Sequence, residues 1–279
     1  MNKRFITALG LTAALSLSAC AANEITDPGT NTSGTGSTSD APAGLSGTLA
    51  GKGASSAKVA QETWSANFQT ANPAVTINSA PDGSGAGREA FMGGGADFAG
   101  SDRALKTDEN VAGAFKGCAD TSTAIDVPIY VSPIAVIFNL DGVTELNLTP
   151  EVLAKIFHGD IANWNDPAIA AINPGATFPD LAITAVHRSD KSGTTGNFTD
   201  YLAVAAADVW TGGSVEEWPL AGGEAAKGTS GVVAAVTGGA GTIGYADASQ
   251  AGTASVAKVG PDGAFELLAV QAAMAAIEA

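Results

Sequence analysis

The segment HRSDKSGTT, residues 187–195, combines one arginine with glycine and several short hydroxyl side chains. The planar guanidinium of Arg188 can donate two parallel hydrogen bonds to an oxyanion. The side chains of Ser192 and Thr194 would add further donors, and Gly193 allows close approach of the main chain because it lacks a Cβ. The composition of this segment therefore predicts a binding site for a small anion.

Two other segments share this small-residue composition: GKGASS at 51–56 and DGSGAGR at 82–88. Each follows a predicted strand and precedes a predicted helix, as does RSDKSGTTGNF at 188–198. A helix N-terminus carries free N–H groups and a partial positive charge, so three that converge would bind an anion. Taken singly, each segment is equally explained as an ordinary turn, because small residues are common there.

Two aspartates adjoin these segments. Asp190 either fixes the guanidinium of Arg188 or caps the helix that follows. Asp102, in ADFAGSD, either caps the next segment or belongs to the anion site. A carboxylate beside an anion is unfavourable unless the anion carries a proton to donate. Hydrogen phosphate carries such a proton, and sulfate at neutral pH does not.

The elements that must position these residues alternate between strand and helix, which favours an α/β fold with mostly parallel strands. Thr149, Pro150 and Gly159 are typical cap residues of a helix. Predicted strands are LSGTLAGKG (45–53), AVTINSA (74–80), a long buried strand at 127–140, LAITAVH (181–187) and GTIGYAD (241–247). Predicted helices are 54–71, capped by Ser55 or Ser56, 148–159, and 229–239.

Charge and composition exclude several functions. The chain has 279 residues, with 13 Lys+Arg against 28 Asp+Glu and a net charge of −15. This charge disfavours binding to nucleic acid or to an anionic membrane surface. With two histidines and no CxxC or HExxH motif, we expect neither a zinc site nor another cofactor. The glycine spacings fit neither a Walker loop nor a dinucleotide fingerprint, and no GxSxG motif occurs.

The N-terminus has the features of an export signal. Residues 1–19 have a basic start and an apolar stretch that ends in LSAC, which resembles a bacterial lipobox. We expect cleavage before Cys20 and lipidation of that cysteine, followed by a flexible linker over 20–44 that is rich in Ser, Thr, Gly and Pro. Cys118 would then have no disulfide partner. The alternatives are an ordinary signal peptide cut near Ala19 or Ala22, and a Cys20–Cys118 bridge.

In this order, the segments resemble the PstS family of phosphate-binding proteins of ABC transporters, over roughly residues 45–265. The stretches IFHGDIANWNDPAI and RSDKSGTT are the most specific to it. The resemblance implies a periplasmic-binding-protein-like fold with two α/β lobes and a ligand cleft between them. Lobe 1 would comprise 45–127 plus 245–279, and lobe 2 would comprise 128–244.

The resemblance also implies a ligand set. Arg188 would pair with Asp190, and Asp102 would accept the phosphate proton. The expected phosphate-binding residues are Ser55, Ser56, Ser84, Asp102, Arg188, Ser192, Gly193 and Thr194. The chain departs from the family at Lys52, where an alanine is usual, and at Ser56, where an aromatic residue is common. It also ends some tens of residues earlier than family members, so lobe 1 would be incomplete.

We therefore expect a non-enzymatic, lipid-anchored protein on the outer face of a membrane. Its partners would be inorganic phosphate and the permease subunits of an ABC importer. Three alternatives remain open: a binding protein for sulfate or molybdate, a secreted phosphatase on a related fold, and a structural lipoprotein with a vestigial site.

Overall fold

The computed structural model describes residues 44–131 and 133–266. The predicted signal peptide, the lipidation at Cys20 and the linker up to residue 43 lie outside the described residues. The strands are β1 Gly47–Gly53, β2 Val75–Ala80, β3 Phe98–Gly100, β4 Ile134–Asn139, β5 Asn147–Leu148, β6 Thr184–Arg188, β7 Glu224–Ala226, β8 Thr242–Asp247, β9 Ser255–Val256 and β10 Lys258–Val259. The helices are α1 Lys58–Ala71, α2 Ser84–Met92, α3 Pro150–His158, α4 Pro167–Ala171, α5 Gly193–Ala205 and α6 Gly228–Gly238.

The first sheet has the strand order β2-β1-β3, and both pairings are parallel. Two glycines in β1 are required because β3 packs closely against this strand. A Cβ on Gly51 would lie 2.1 Å from Cζ of Phe98, and one on Gly53 would lie 2.1 Å from the carbonyl oxygen of Gly100. The glycines of the GKG segment therefore let three strands and α2 pack closely, and they bring the ends of β1 and β3 together.

The second sheet has the order β7-β6-β8-β4-β9. Strand β6 is parallel to β7 and β8, whereas β4 is antiparallel to β8 and β9. Its two faces are covered by separate apolar clusters. One includes Phe138, Phe157, Trp164 and Tyr245, and the other packs α6 through Val232 against the sheet. The α/β fold with mostly parallel pairing agrees with the sequence prediction.

Helix α3 has the predicted caps. The Oγ1 of Thr149 accepts a hydrogen bond from the N–H of Val152, Pro150 occupies the first turn, and Gly159 has φ 94° in the left-handed region. Each of these residues either caps the helix end with a hydrogen bond or adopts a backbone angle that the helix end requires. Both requirements are local, so the sequence alone was enough to predict the helix ends.

The predicted cap of α1 is wrong. The helix begins at Lys58, its N-cap position is Ala57, and no side chain caps it. Ser55 and Ser56 instead use their hydroxyls for contacts with residues distant in the chain. The apolar face of α1 is also partly exposed, with Trp64 39% accessible in the described structure.

The predicted long strand is shorter than expected. Only Ile134–Asn139 forms β4, and Ile129 is 68% exposed. Pro133 has no N–H to donate to a neighbouring strand, which favours the break at this point. Within the described residues, 127–131 pair with no strand.

The division into lobes stays a prediction, but its second boundary can be compared with the strand pairing. The predicted boundary between residues 244 and 245 falls inside β8, which pairs with β4 along its whole length. Strands β9 and β10, also assigned to lobe 1, pair with β4 and β5. Residues 245–259 thus belong to the sheets of the second half of the fold.

Candidate functional site

Asp102 lies just after β3 and joins three of the predicted ligand segments. Its Oδ1 accepts a hydrogen bond from the Oγ of Ser56 at 2.5 Å, and its Oδ2 accepts one from Oγ1 of Thr194 at 3.1 Å. Its N–H donates to the Oγ of Ser84 at 3.2 Å. The turn before α1 and the start of α5 therefore contact the carboxylate of Asp102, and the start of α2 contacts its main-chain N–H.

The start of α5 packs tightly on this carboxylate. A Cβ on Gly193 would lie 2.6 Å from Cβ of Asp102 and 2.8 Å from the Oγ of Ser84, so only glycine fits this position. Ser192 is the N-cap of α5, and its Oγ accepts from the N–H of Thr195 at 3.2 Å. The N-terminus of α5 therefore lies against Asp102, with the free N–H groups of its first turn close to that residue.

Arg188 ends β6 and is 2% exposed. Its Nε and Nη2 donate to the two carboxylate oxygens of Asp190 at 2.7 and 2.5 Å. The Oδ1 of Asp190 also accepts from the N–H of Gly228 at 3.0 Å. Asp190 thus pairs with the arginine, and Ser192 caps α5. Burial raises the pKa of Asp190, but the hydrogen bonds from Arg188 and Gly228 outweigh it, so the pKa lies below its ordinary 3.8.

The arginine pair lies next to α2 because of another glycine. Gly83 has φ 104°, and a Cβ there would approach Oδ2 of Asp190 to 2.4 Å and Nη2 of Arg188 to 3.6 Å. Gly83 directly precedes Ser84, which contacts Asp102. The arginine and the Asp102 cluster therefore form one continuous site.

Ser55 lies at the edge of this site and is engaged by α6. Its Oγ is 3.1 Å from Oγ1 of Thr229 and accepts from the N–H of Thr229, also at 3.1 Å. The side-chain amide of Gln250 donates to the carbonyl oxygens of Ser55 and Ser56 at 2.8 and 2.7 Å. The first turn is thus held from two directions, and its hydroxyls face different partners.

Three residues near the site were not found from the sequence: Thr229, Gln250 and Tyr245. The hydroxyl of Tyr245 lies 2.7 Å from Oγ1 of Thr195 and accepts from the N–H of Arg188 at 3.3 Å. Burial raises its pKa to about 12, so the phenol is neutral and can serve as a donor. The small residues at the start of α6 could have been found by the criterion used for the other three helices. Tyr245 and Gln250 have no comparable local signal.

The charges of the site suit an anion that carries a proton. Arg188 supplies one cation, Asp190 balances it, and helix N-termini supply partial positive charge. Asp102 adds an acceptor among these donors. Ser56, Asp102 and Thr194 also line a cavity of about 510 Å³.

Two absences apply to the described part of the chain only. In residues 44–131 and 133–266, no group of three or more His, Cys, Asp or Glu side chains is arranged to hold a metal ion. The helices of these same residues include none with both the length and the apolar character needed to cross a membrane. Cys118 is exposed, and its predicted lack of a disulfide stays a prediction because Cys20 lies outside this part.

Comparison with known proteins identifies the class. Residues 36–278 match the model of the PBP superfamily domain. The chain therefore belongs to the PBP superfamily, and its α/β architecture is consistent with this assignment.

The curated relatives narrow this class to the PstS family, and the resemblance stated from the motifs is confirmed. The phosphate-binding protein PstS 3 of Mycobacterium tuberculosis is 40% identical over 244 residues, which are 87% of this chain and 65% of that protein. The phosphate-binding protein PstS of Xylella fastidiosa is 36% identical over 209 residues, covering 73% of this chain and 54% of that one. This chain thus spans less than two thirds of the length of these relatives.

Solved structures agree with this fold. PfluDING, a high affinity periplasmic phosphate-binding protein solved with bound phosphate, superposes with a TM-score of 0.62 at 27% identity, covering 76% of this chain and 61% of that one. A phosphate-binding protein from Stenotrophomonas maltophilia gives a TM-score of 0.61 at 25% identity, covering 77% and 65%.

Proposed function

We propose that this protein is an extracytoplasmic receptor that binds inorganic phosphate and delivers it to an ABC-type importer. The names of its relatives support the ligand, since the curated relatives described above are called phosphate-binding proteins. The observation that carries the proposal is the position of Asp102, a carboxylate acceptor surrounded by hydroxyls and helix N-termini.

Asp102 would select for phosphate by accepting its proton. A hydrogen phosphate ion can donate to a carboxylate oxygen, whereas sulfate at neutral pH would place two bare acceptors against each other. Leaving a buried polar group unpaired in this way can discriminate by about 10⁴–10⁵-fold. The hydroxyls of Ser56 and Thr194 now donate to Asp102 and could turn to the ligand oxygens.

Binding of the remaining oxygens would fall to Arg188 and the helix N-termini. Asp190 engages Nε and Nη2 of Arg188, which fixes the guanidinium plane and leaves Nη1 to face a ligand. The main-chain N–H groups at the starts of α2 and α5, together with Ser84, Ser192 and Gly193, would supply neutral donors. Closure of the two predicted lobes would then bury the dehydrated ion.

The proposed role implies further partners. The closed, loaded protein would dock on permease subunits, and a lipid on Cys20 would keep it near the membrane. Both the anchor and the non-enzymatic role are proposals, motivated by the LSAC motif and by relatives that are named as binding proteins.

Isothermal titration of the whole chain, solubilised in detergent and stripped of phosphate, tests the ligand. We expect heat of binding with phosphate and none with sulfate or molybdate. Tight binding of either competitor would replace the phosphate proposal with a different oxyanion. Hydrolysis of p-nitrophenyl phosphate that is abolished by Ser192→Ala would contradict the non-enzymatic role.

A further inference from the structure

Glu216, in the segment between α5 and β7, makes contacts that the anion site itself does not explain. Its Oε1 and Oε2 accept from Nη2 of Arg88 at 2.7 and 2.5 Å, and Oε2 also accepts from Nη2 of Arg103 at 3.3 Å. Its carbonyl oxygen accepts from the N–H of Ser192 at 2.9 Å. One residue therefore binds three partners by both its main chain and its side chain.

Each partner belongs to a different segment of the proposed phosphate site. Arg88 lies on α2, four residues after Ser84 and so on the same side of the helix. Arg103 directly follows Asp102 in the chain. The third partner, Ser192, is itself a predicted ligand residue. Glu216 thus connects the segments that carry Ser84, Asp102 and Ser192, although it is not adjacent to any of them in sequence.

The contacts are buried and charged. The side chain of Arg88 is 5% exposed and that of Glu216 is 13% exposed. Nη1 of Arg88 donates to the Oγ of Ser101 at 2.7 Å, so the guanidinium is fixed on both sides. Removing the carboxylate would leave a buried cation without its partner, which is far more costly than loss of an exposed ion pair.

Arg103 extends this network to the surface. Its Nη1 and Nη2 donate to the carboxylate of Glu109 at 2.7 and 2.8 Å. The hydrogen bond from Arg103 lowers the pKa of Glu109 to about 2, so this carboxylate stays ionised and shares the arginine with Glu216. The guanidinium of Arg103 is therefore bound by both Glu109 and Glu216, which fixes the residue that directly follows Asp102.

The network spans the two sheets. Arg88 lies on α2, which packs against the first sheet. Glu216 lies 128 residues further along the chain, in the segment that leads to β7 of the second sheet. Both halves supply groups to the proposed anion site. The Arg88–Glu216 contact stabilises the relative position of the two sheets. If phosphate binding requires that position, the contact must also increase phosphate affinity.

We infer that Glu216 is a positioning residue for the proposed phosphate site, which sets affinity by joining the segments of Ser84, Asp102 and Ser192 across the two sheets. This inference deepens the proposed function and rests on it. Glu216 touches no ligand in this scheme and acts only through Arg88, Arg103 and its own carbonyl.

The test compares Glu216→Gln with Glu217→Gln in the whole chain. The control removes the same charge from the adjacent, exposed residue. By titration and stopped-flow release of phosphate, we expect Glu216→Gln to weaken affinity by about 10- to 100-fold, mainly through faster dissociation. Glu217→Gln should bind like the wild type. Equal affinity of the two variants would overturn the inference.

A double-mutant cycle separates positioning from general destabilisation. Arg88→Met and Glu216→Gln should each weaken phosphate binding, and the double variant should lose much less than the sum of the two. Additive losses would contradict a role for the Arg88–Glu216 contact. A lower melting temperature with unchanged affinity and release rate would show that the contact has only a structural role.

Hydrogen exchange tests the contacts of Glu216 without any ligand. We expect the amide of Ser192 and those at the start of α2 to exchange faster in Glu216→Gln than in Glu217→Gln. If the wild type gives no heat with phosphate, the proposed function fails, and the exchange result still decides whether Glu216 holds these segments together. Unchanged exchange together with unchanged affinity would overturn the inference.

Discussion

The Oγ of Ser56 donates a 2.5 Å hydrogen bond to Oδ1 of Asp102, although 46 positions separate the two residues in the chain. This contact joins the turn before α1 to the end of β3. It also explains why the sequence prediction of a serine cap on α1 failed. The hydroxyl that local rules assign to the helix is used by a carboxylate that only the folded chain brings near.

Asp102→Asn is expected to reduce the preference for phosphate over sulfate. The amide can donate to a sulfate oxygen, whereas the carboxylate can only accept. Competition titrations should show a fall in selectivity of at least about tenfold, within the range that an unpaired buried polar group can produce. Asp108→Asn, at an exposed position, serves as the control for charge. Unchanged selectivity in Asp102→Asn would show that Asp102 does not select phosphate by accepting its proton.

Arg188→Lys should weaken phosphate binding even though it keeps the positive charge. Lysine cannot hold both oxygens of Asp190 and still present a planar donor to the ligand. The loss of charged hydrogen bonds, about 1.5–3 kcal/mol, corresponds to roughly a 10- to 100-fold rise in the dissociation constant measured by titration. A lysine variant with wild-type affinity would indicate that only the charge of Arg188 matters.

The parts of the fold that the sequence predicted depend on local rules. The caps of α3 and the alternation of strands and helices follow from residues within one or two turns of each other. The predicted strand at 127–140 failed because hydrophobic pattern alone does not supply a neighbouring strand. Only Ile134–Asn139 has partners, in β8 and β9.

In the candidate site, too, residues with a local sequence signal were predicted, and residues that act through distant contacts were not. Glycine and hydroxyl residues after strands predicted three of the helix ends that meet here, and the chemistry of Arg188 suggested the type of ligand. Residues that support the site from a distance gave no local signal. Glu216, Gln250 and Tyr245 act through contacts across many positions of the chain, which only the tertiary structure defines.

Gly193→Ala should disrupt the site by steric conflict. The added methyl group would lie 2.6 Å from Cβ of Asp102 and 2.8 Å from the Oγ of Ser84, so α5 or the Asp102 segment must shift. We expect at least about a tenfold loss of phosphate affinity, because small misplacements in a preorganised site are costly. Gly238→Ala is the matched control, since no atom outside its own helix backbone and chain neighbours lies within 4 Å of its added Cβ. Equal affinities of the two variants would contradict the packing described here.

Asp247→Asn should change how stability depends on pH. Asp247 is fully buried, its Oδ1 accepts from the N–H of Ser249 at 3.0 Å, and within the described residues its Oδ2 has no partner. Burial raises its pKa above the ordinary 3.8, and the charge of Asp102 adds to this.

The sign of this effect follows from proton linkage. Because the folded state holds the proton of Asp247 more tightly than the unfolded state, stability falls as pH rises above 3.8 towards the raised pKa. Asparagine does not titrate, so any fixed cost of the amide is the same at every pH. We therefore expect the melting temperature of Asp247→Asn minus that of the wild type to increase between about pH 4 and about pH 7. The exposed Asp262→Asn should show no such trend. A difference that stays constant or decreases with pH would contradict a raised pKa for Asp247.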